Sequence, residues 1–357
     1  MTSRFMLCAI MVISMNVISR AAAAAPSPTS QPAVLSSEFI YESAPYPQCH
    51  ASTIVEIKPG ELAAAWFGGT RERNPDVCIY VARYENGKWQ EAVQAADGVQ
   101  PDGSPRLPTW NPVLFQPPGG PLTLFYKIGP SPSTWWGMVK TSSDGGRTWG
   151  ETRRLPEGVL GPIKNKPVLL SDGAWLAPSS TEGSGGWQVH FERSSDAGKT
   201  WEIIGPVAKG PSFDAIQPSI LFHKDGQLQS LCRSKQGVVA QTWSKDGGKT
   251  WSALTAASLP NPNSGTDAVT LADGRQLIVY NHSAHRPNEP KGNRWPLDVA
   301  VSDDGLEWRR AATLETEPNK SGYAYPAVIQ SSDGLVHITY TWDRTRIKHV
   351  VLDPKKL

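Results

Sequence analysis

One short pattern limits what this chain can fold into more than any other feature: Ser-x-Asp-x-Gly-x-x-Trp. It stands at Ser142–Trp149, Ser194–Trp201 and Ser244–Trp251, with a shortened copy at Ser302–Trp308 and a worn one, YENGKW, ending at Trp89. The five tryptophans are 60, 52, 50 and 57 residues apart, a period that means an array of similar small units. Each copy reads as a hairpin turn. Its Asp or Asn bonds local N–H groups, its Gly supplies a positive φ, and its Trp packs the turn down.

A second repeat sets the count. A glycine followed by a strand-like run recurs at Gly60, Gly120, Gly173, Gly226, Gly274 and Gly334, and another apolar run precedes each by seven to ten residues. Six units of about four strands predict an all-β six-bladed propeller over residues 40–357, closed into a ring. The residue that opens each first run should begin the innermost strand of its blade. These residues are His50, Asn111, Lys166, Gln217, Asp267 and Tyr325. All six are polar or ionisable, and in a propeller they converge on one mouth of the central channel, as a polar ligand site requires.

Residues 1–25 carry Arg4, an apolar run from Phe5 to Ile18 and then Ala21–Ala25. That is the layout of a cleaved secretory signal, so the expected mature chain is secreted or periplasmic, with residues 26–39 as a linker and no membrane span. The net charge is +2, from 35 basic and 33 acidic residues; without Arg4 and Arg20 it is 33 against 33. A neutral chain has no global field for nucleic acid. Cys49, Cys78 and Cys232 remain after the signal, enough for at most one disulfide. No phosphate loop, CxxC, HExxH or GxSxG pattern is present, so no cofactor is expected.

The Asp-box turns, the six units and the polar ring together resemble the sialidase (neuraminidase) superfamily. The resemblance implies roles for particular residues. The segment LCRSKQGVVAQTWSKDGGKTW resembles the family's Arg-bearing strand before an Asp box and puts Arg233 in the carboxylate-binding set. NRWPLDVAVSDDG gives Arg294, YAYPAV gives Tyr325 as the nucleophile, and the loop FGGTRERNPDVCIYVAR offers Glu72 and Asp76 as acid/base carboxylates. Two positions depart from the family. His50 stands where sialidases carry the Arg of an Arg-Ile-Pro motif, and Gln217 stands where they place a Glu beside the Tyr. Asp267, from the next blade, is the candidate replacement base.

Arg233 and Arg294, joined by Arg71, Lys164 or Lys166, would suit a carboxylate, because guanidinium binds it through a planar fork. The expected activity is therefore an exo-acting glycoside hydrolase on a glycan ending in a sialic or uronic acid, with Asn111 and Gln217 in the binding set. Two alternatives stand beside it: a uronate lyase using His50 as base and Tyr325 as acid, and a non-catalytic glycan-binding propeller. His190 and Glu192 alternate on one strand without a third metal ligand, which reads as structural. The Trp135-Trp136 pair reads as a sugar platform or as packing between blades, and the polar insertion Asn281–Arg294 as a lid or a surface loop.

Overall fold

A computed structural model describes residues 32–357 except 211–212 and 286–288, so the expected signal segment lies outside the described residues. Six antiparallel sheets follow one another. Their innermost strands are Gln48–Lys58, Thr109–Phe115, Val168–Leu169, Ala215–Phe222, Asp267–Thr270 and Tyr323–Gln330, and we number the blades one to six in that order. Most inner and second strands read as continuous apolar runs rather than alternating ones because both faces are covered by neighbouring blades. The clusters show this: Ala63, Ala65 and Val81 of blade one pack with Leu114, Leu124 and Tyr126 of blade two, and Val279 and Val299 of blade five pack with Val328 and Tyr340 of blade six.

The expected linker over 26–39 is corrected in its second half. Val34–Phe39 is a strand paired antiparallel to Arg346–Leu352, so the first described strand completes the last blade. Ala33 and Ile40, at its two ends, are buried, which anchors a strand whose middle is exposed. This pairing ties an N-terminal strand to the last blade and closes the ring of blades, whose outer edges stay short.

The Asp boxes fold as their chemistry dictates. In blade three, Asp196 Oδ1 accepts from the N–H groups of Lys199 and Thr200 and from Ser194 Oγ, while Ser194 Oγ accepts from Gly198 N at 2.8 Å. The same bonds recur at Asp144 and Asp246. Six glycines were expected to turn the first hairpins. Five do so with positive φ, but in blade two the left-handed residue is Gly119 rather than Gly120.

At the seam between blades six and one, His337 Nδ1 lies 3.0 Å from His349 Nε2, and Trp89 Nε1 donates to His349 Nδ1 at 3.2 Å. Burial and the neighbouring His349 lower His337 to about 4. A histidine held below its unfolded value of about 6.5 stabilises the fold fully above that value, and the contribution is lost as pH falls from about 6.5 towards 4. We expect a loss on the order of 3 kcal/mol across that window. Urea melts between those pH values should show a limb of declining stability that His337→Gln flattens.

Candidate functional site

Four of the six inner strands begin with the same distortion. Their register with the second strand slips between His50 and Thr53, Trp110 and Val113, Ile216 and Ser219, and Ala324 and Ala327. Within each slip sits a non-glycine residue in the left-handed region: Ala51 (φ 58°), Asn111 (φ 31°), Gln217 (φ 58°) and Tyr325 (φ 53°). Such backbone costs about 1–3 kcal/mol per residue and persists where the surroundings over-determine it, often at functional sites. The bulge re-aims the side chain that opens the strand. In blade one the bulge position is Ala51, so His50 stands one residue ahead of the position occupied by Gln217 and Tyr325.

Tyr325 is the hub. Its hydroxyl oxygen receives Arg233 Nη1 at 3.0 Å and Gln217 Nε2 at 3.0 Å. The His50 ring lies against it, centroids 4.2 Å apart, and Lys164 Nζ is 5.7 Å from its ring centre. Arg233 is fixed by Asn263 Oδ1 at 2.8 Å and by the face of Trp187 at 5.0 Å. Beneath the hub the ammonium of Lys164 donates to Asn165 Oδ1, Thr266 O and Pro326 O, which ties blade three across the channel to blades five and six. Burial pulls this lysine down to about 7.

Two further guanidiniums complete the charge around the hub. Burial, then Arg233 and Arg344 beside it, lower Arg294 to about 10. Its backbone is held by Tyr323 N bonding Arg294 O at 2.9 Å. Arg344, which the sequence reading missed, comes from the last turn of blade six and pairs with Glu72 at 2.6 Å. Burial first, then Arg344, Arg294, Arg233 and Lys164, hold His50 well below its usual value. Its Nδ1 is 3.0 Å from Thr341 Oγ1, which also accepts from Ala51 N. Neutral His50 therefore fills the space beside Tyr325 and adds no charge.

Glu182 is the second missed residue. It lies directly across the hairpin from Trp187, whose ring carries both Arg233 and Lys235. Cross-strand partners share a face, which puts the carboxyl on the side of the hairpin that faces Arg233 and Lys235, with Arg73 and Glu72 also within electrostatic reach. It has no hydrogen-bond or ion-pair partner among the described residues. Burial, opposed by Arg233 and Lys235 and reinforced by Glu72, pushes it above the usual carboxylate range.

The family model described as BNR repeat-like domain matches residues 60–338, more than half of the chain. The chain belongs to the BNR repeat-like domain family. It is also similar to sialidases. It is 23% identical over 257 residues to an anhydrosialidase from Macrobdella decora, covering 63% of this chain and 33% of that protein. It is 26% identical over 239 residues to a sialidase from Micromonospora viridifaciens, covering 63% of this chain and 31% of that one. The chain thus spans about a third of the length of these curated relatives. Its fold is that of the NanB sialidase from Streptococcus pneumoniae, with a TM-score of 0.69 at 13% identity, over 90% of this chain and 71% of that one.

Within this BNR repeat-like chain, several expected site residues are engaged elsewhere. Asp267 was the candidate base, but its oxygens accept from Lys166, Ser219, Ala268 N and Val328 N. That carboxylate is a buried knot joining blades three to six, and Lys166 is its partner rather than a ligand for substrate. Asp267→Asn should cost roughly 2–4 kcal/mol by stranding Lys166. Chemical melts would show the loss, while turnover per folded molecule stays near wild type.

Asn111 donates to Ile163 O and braces blade two to the start of blade three. Asp76 accepts from Thr70 N and Oγ1, both at 2.7 Å, and these bonds hold its carboxyl below the usual range despite partial desolvation. It is a loop staple and a poor proton donor. Arg71 is exposed and lies outside the tyrosine cluster, lining an adjoining hollow with Glu72.

His190 and Glu192 bond each other at 3.0 Å, and Glu192 also accepts from Leu160 N and Gly161 N, a structural set. Trp135 is buried against Trp110, 5.7 Å between centroids, while half-buried Trp136 lies under Arg154. The three described cysteines, Cys49, Cys78 and Cys232, are free and buried. The described ends of the 281–294 insertion rest on blade four, through His285 to Lys235 O and Asn263 to Pro290 O. No described helix is long and apolar enough to cross a membrane.

Proposed function

We propose that this chain is a glycoside hydrolase that removes a terminal acidic sugar, a sialic or uronic acid, from a glycan. The observation that carries the reading is Tyr325 Oη, presented by a strained residue and held between two donors inside a group of cations. Arg233, Arg294 and Arg344 would take the sugar carboxylate through charge-assisted forks. Tyr325 Oη would attack the anomeric carbon as the bond to the leaving oxygen breaks. Glu182, whose hold on its proton is strengthened by burial, would give that oxygen its proton, and the phenolic proton would pass to water in the mouth. In the second step Glu182 takes a proton from a water that attacks the anomeric carbon, the bond to Tyr325 Oη breaks, and the departing phenolate regains its proton from water in the mouth. The released sugar then has its original anomeric configuration.

The lyase alternative requires a basic imidazole, and His50 is a poor one: buried, surrounded by cations and engaged at Nδ1. The reading is tested with an aryl sialoside, an aryl glucuronide and their methyl esters. Losing two charge-assisted contacts should lower kcat/KM of the productive glycoside roughly a hundredfold on esterification. Equal turnover of acid and ester would reject the carboxylate role.

A further inference from the structure

Arg344 does more than face the tyrosine cluster, because it lies between two hollows on the rim of the mouth. One, about 390 Å³, is lined by Gln48, Arg71, Glu72, Arg73 and Arg344. The other, about 360 Å³, includes Lys291, Arg294, Lys320 and Arg344 in its wall. Arg71, Arg73, Lys291 and Lys320 are exposed, and none has an ion-pair partner among the described residues. Of the nearby acids, Glu72 is engaged by Arg344 at 2.6 Å and Asp343 by Ser321 N at 2.7 Å, which leaves Glu182 as the unpaired carboxyl within electrostatic reach of Arg73. Six cations thus line one side of the mouth, from the loop of blade one through the turn of blade six to the loop of blade five. Without these six the chain would carry an excess of acidic over basic residues, since its totals are 35 basic and 33 acidic.

Unpaired like charges held along a concave rim repel one another in the empty protein, and an anion relieves the repulsion while gaining focused field. One carboxylate is accommodated by Arg233, Arg294 and Arg344. Arg71, Arg73, Lys291 and Lys320 remain to be matched.

We infer that the rim hollows beside Arg344 form a second anion-binding subsite, which takes a carboxylate or sulfate on the sugar next to the terminal one. The substrate class is therefore a polyanionic glycan rather than an acidic sugar on a neutral chain. The inference rests on the mouth being the site of the terminal acidic sugar.

The test measures binding of matched probes to the full chain. These are sialyllactose against disialyllactose, and glucuronic acid linked to glucose, to a second glucuronic acid, or to a sulfated glucose. The second anion should tighten binding about tenfold or more and steepen the loss of affinity between about 20 and about 200 mM salt. The carboxylate and sulfate arms show which anion the rim prefers. In Arg71→Ser/Arg73→Ser or Lys291→Ser/Lys320→Ser proteins, whose changed side chains are exposed, the ratio between paired probes should collapse towards one. Arg233→Ala should weaken every probe of the series that binds.

A wild-type ratio near one, with binding still sensitive to Arg233→Ala, overturns the second subsite and leaves the mouth intact. A ratio that survives both double variants places the second anion elsewhere and also overturns it. Failure of every probe to bind removes the reading of the mouth together with the subsite.

Discussion

Tyr325→Phe should lower turnover of any productive substrate by roughly a thousandfold or more while leaving the fold and the affinity for the acidic sugar nearly unchanged. The variant removes one oxygen and keeps the ring. Its contact with His50 and its place above Lys164 are set by the ring and by a left-handed backbone. Of the two donors that lose their acceptor, Arg233 Nη1 belongs to a half-buried side chain that can turn to water or the bound carboxylate, and only the buried Gln217 Nε2 gives up a bond. The expected split is therefore in kcat and not in KM. An equal rise in KM with unchanged kcat would show that Tyr325 binds and does not react. Melting temperature and the binding constant for a product sugar are the controls.

The second large effect is expected at Glu182, and the leaving group reveals it. A proton donor matters in proportion to the basicity of the departing oxygen, and general acids contribute roughly 10²–10⁴-fold. Glu182→Gln should lower kcat by that range on natural oligosaccharides, whose leaving alcohols are poor, and by far less on aryl glycosides, whose phenolates need no proton. It should also remove the alkaline limb of the pH–rate profile, because the raised carboxyl is the group whose proton is lost there. Activity falls as pH rises through a donor's pKa, so a donor held above the usual carboxylate range extends activity towards neutral pH.

Glu72→Gln is the matched comparison. Glu72 is paired to Arg344, so its loss should alter binding through that guanidinium without the dependence on leaving group. If Glu72→Gln shows the dependence and Glu182→Gln does not, the roles are reversed.

The architecture was readable because a propeller repeats its local chemistry. Ser194, Asp196 and Gly198 close their turn with bonds that run within five residues of sequence, and each copy could be recognised without knowing where its blade would lie. The positions around the mouth were readable for a related reason: Asn111, Gln217 and Tyr325 each precede a proline and an apolar run, and the structure gives all three the same bulge. Position did not settle direction. Tyr325 and Gln217 meet at the mouth, whereas Asp267 and Lys166 turn into the wall between blades and satisfy each other there.

Arg344 and Glu182 could not be read because neither opens a strand or belongs to a motif. Arg344 follows Asp343 in a tight turn with φ 59°, and Glu182 ends a strand as the partner of Trp187. Their importance is set by three-dimensional neighbours on other blades. The N-terminal strand was missed for the same reason: Val34–Phe39 has an exposed middle and acquires meaning only through its pairing with the last strand of the chain.

The most direct measurement is product analysis by chromatography with ultraviolet and mass detection, after the chain is incubated with sialosides and uronate-capped oligosaccharides. The account predicts release of an intact acidic sugar, saturated and heavier by one water than the residue in the chain, with the anomeric configuration retained at the earliest time points. An unsaturated uronate absorbing in the ultraviolet would contradict it and make the chain a lyase, and binding without any product would contradict it in favour of a glycan-binding propeller.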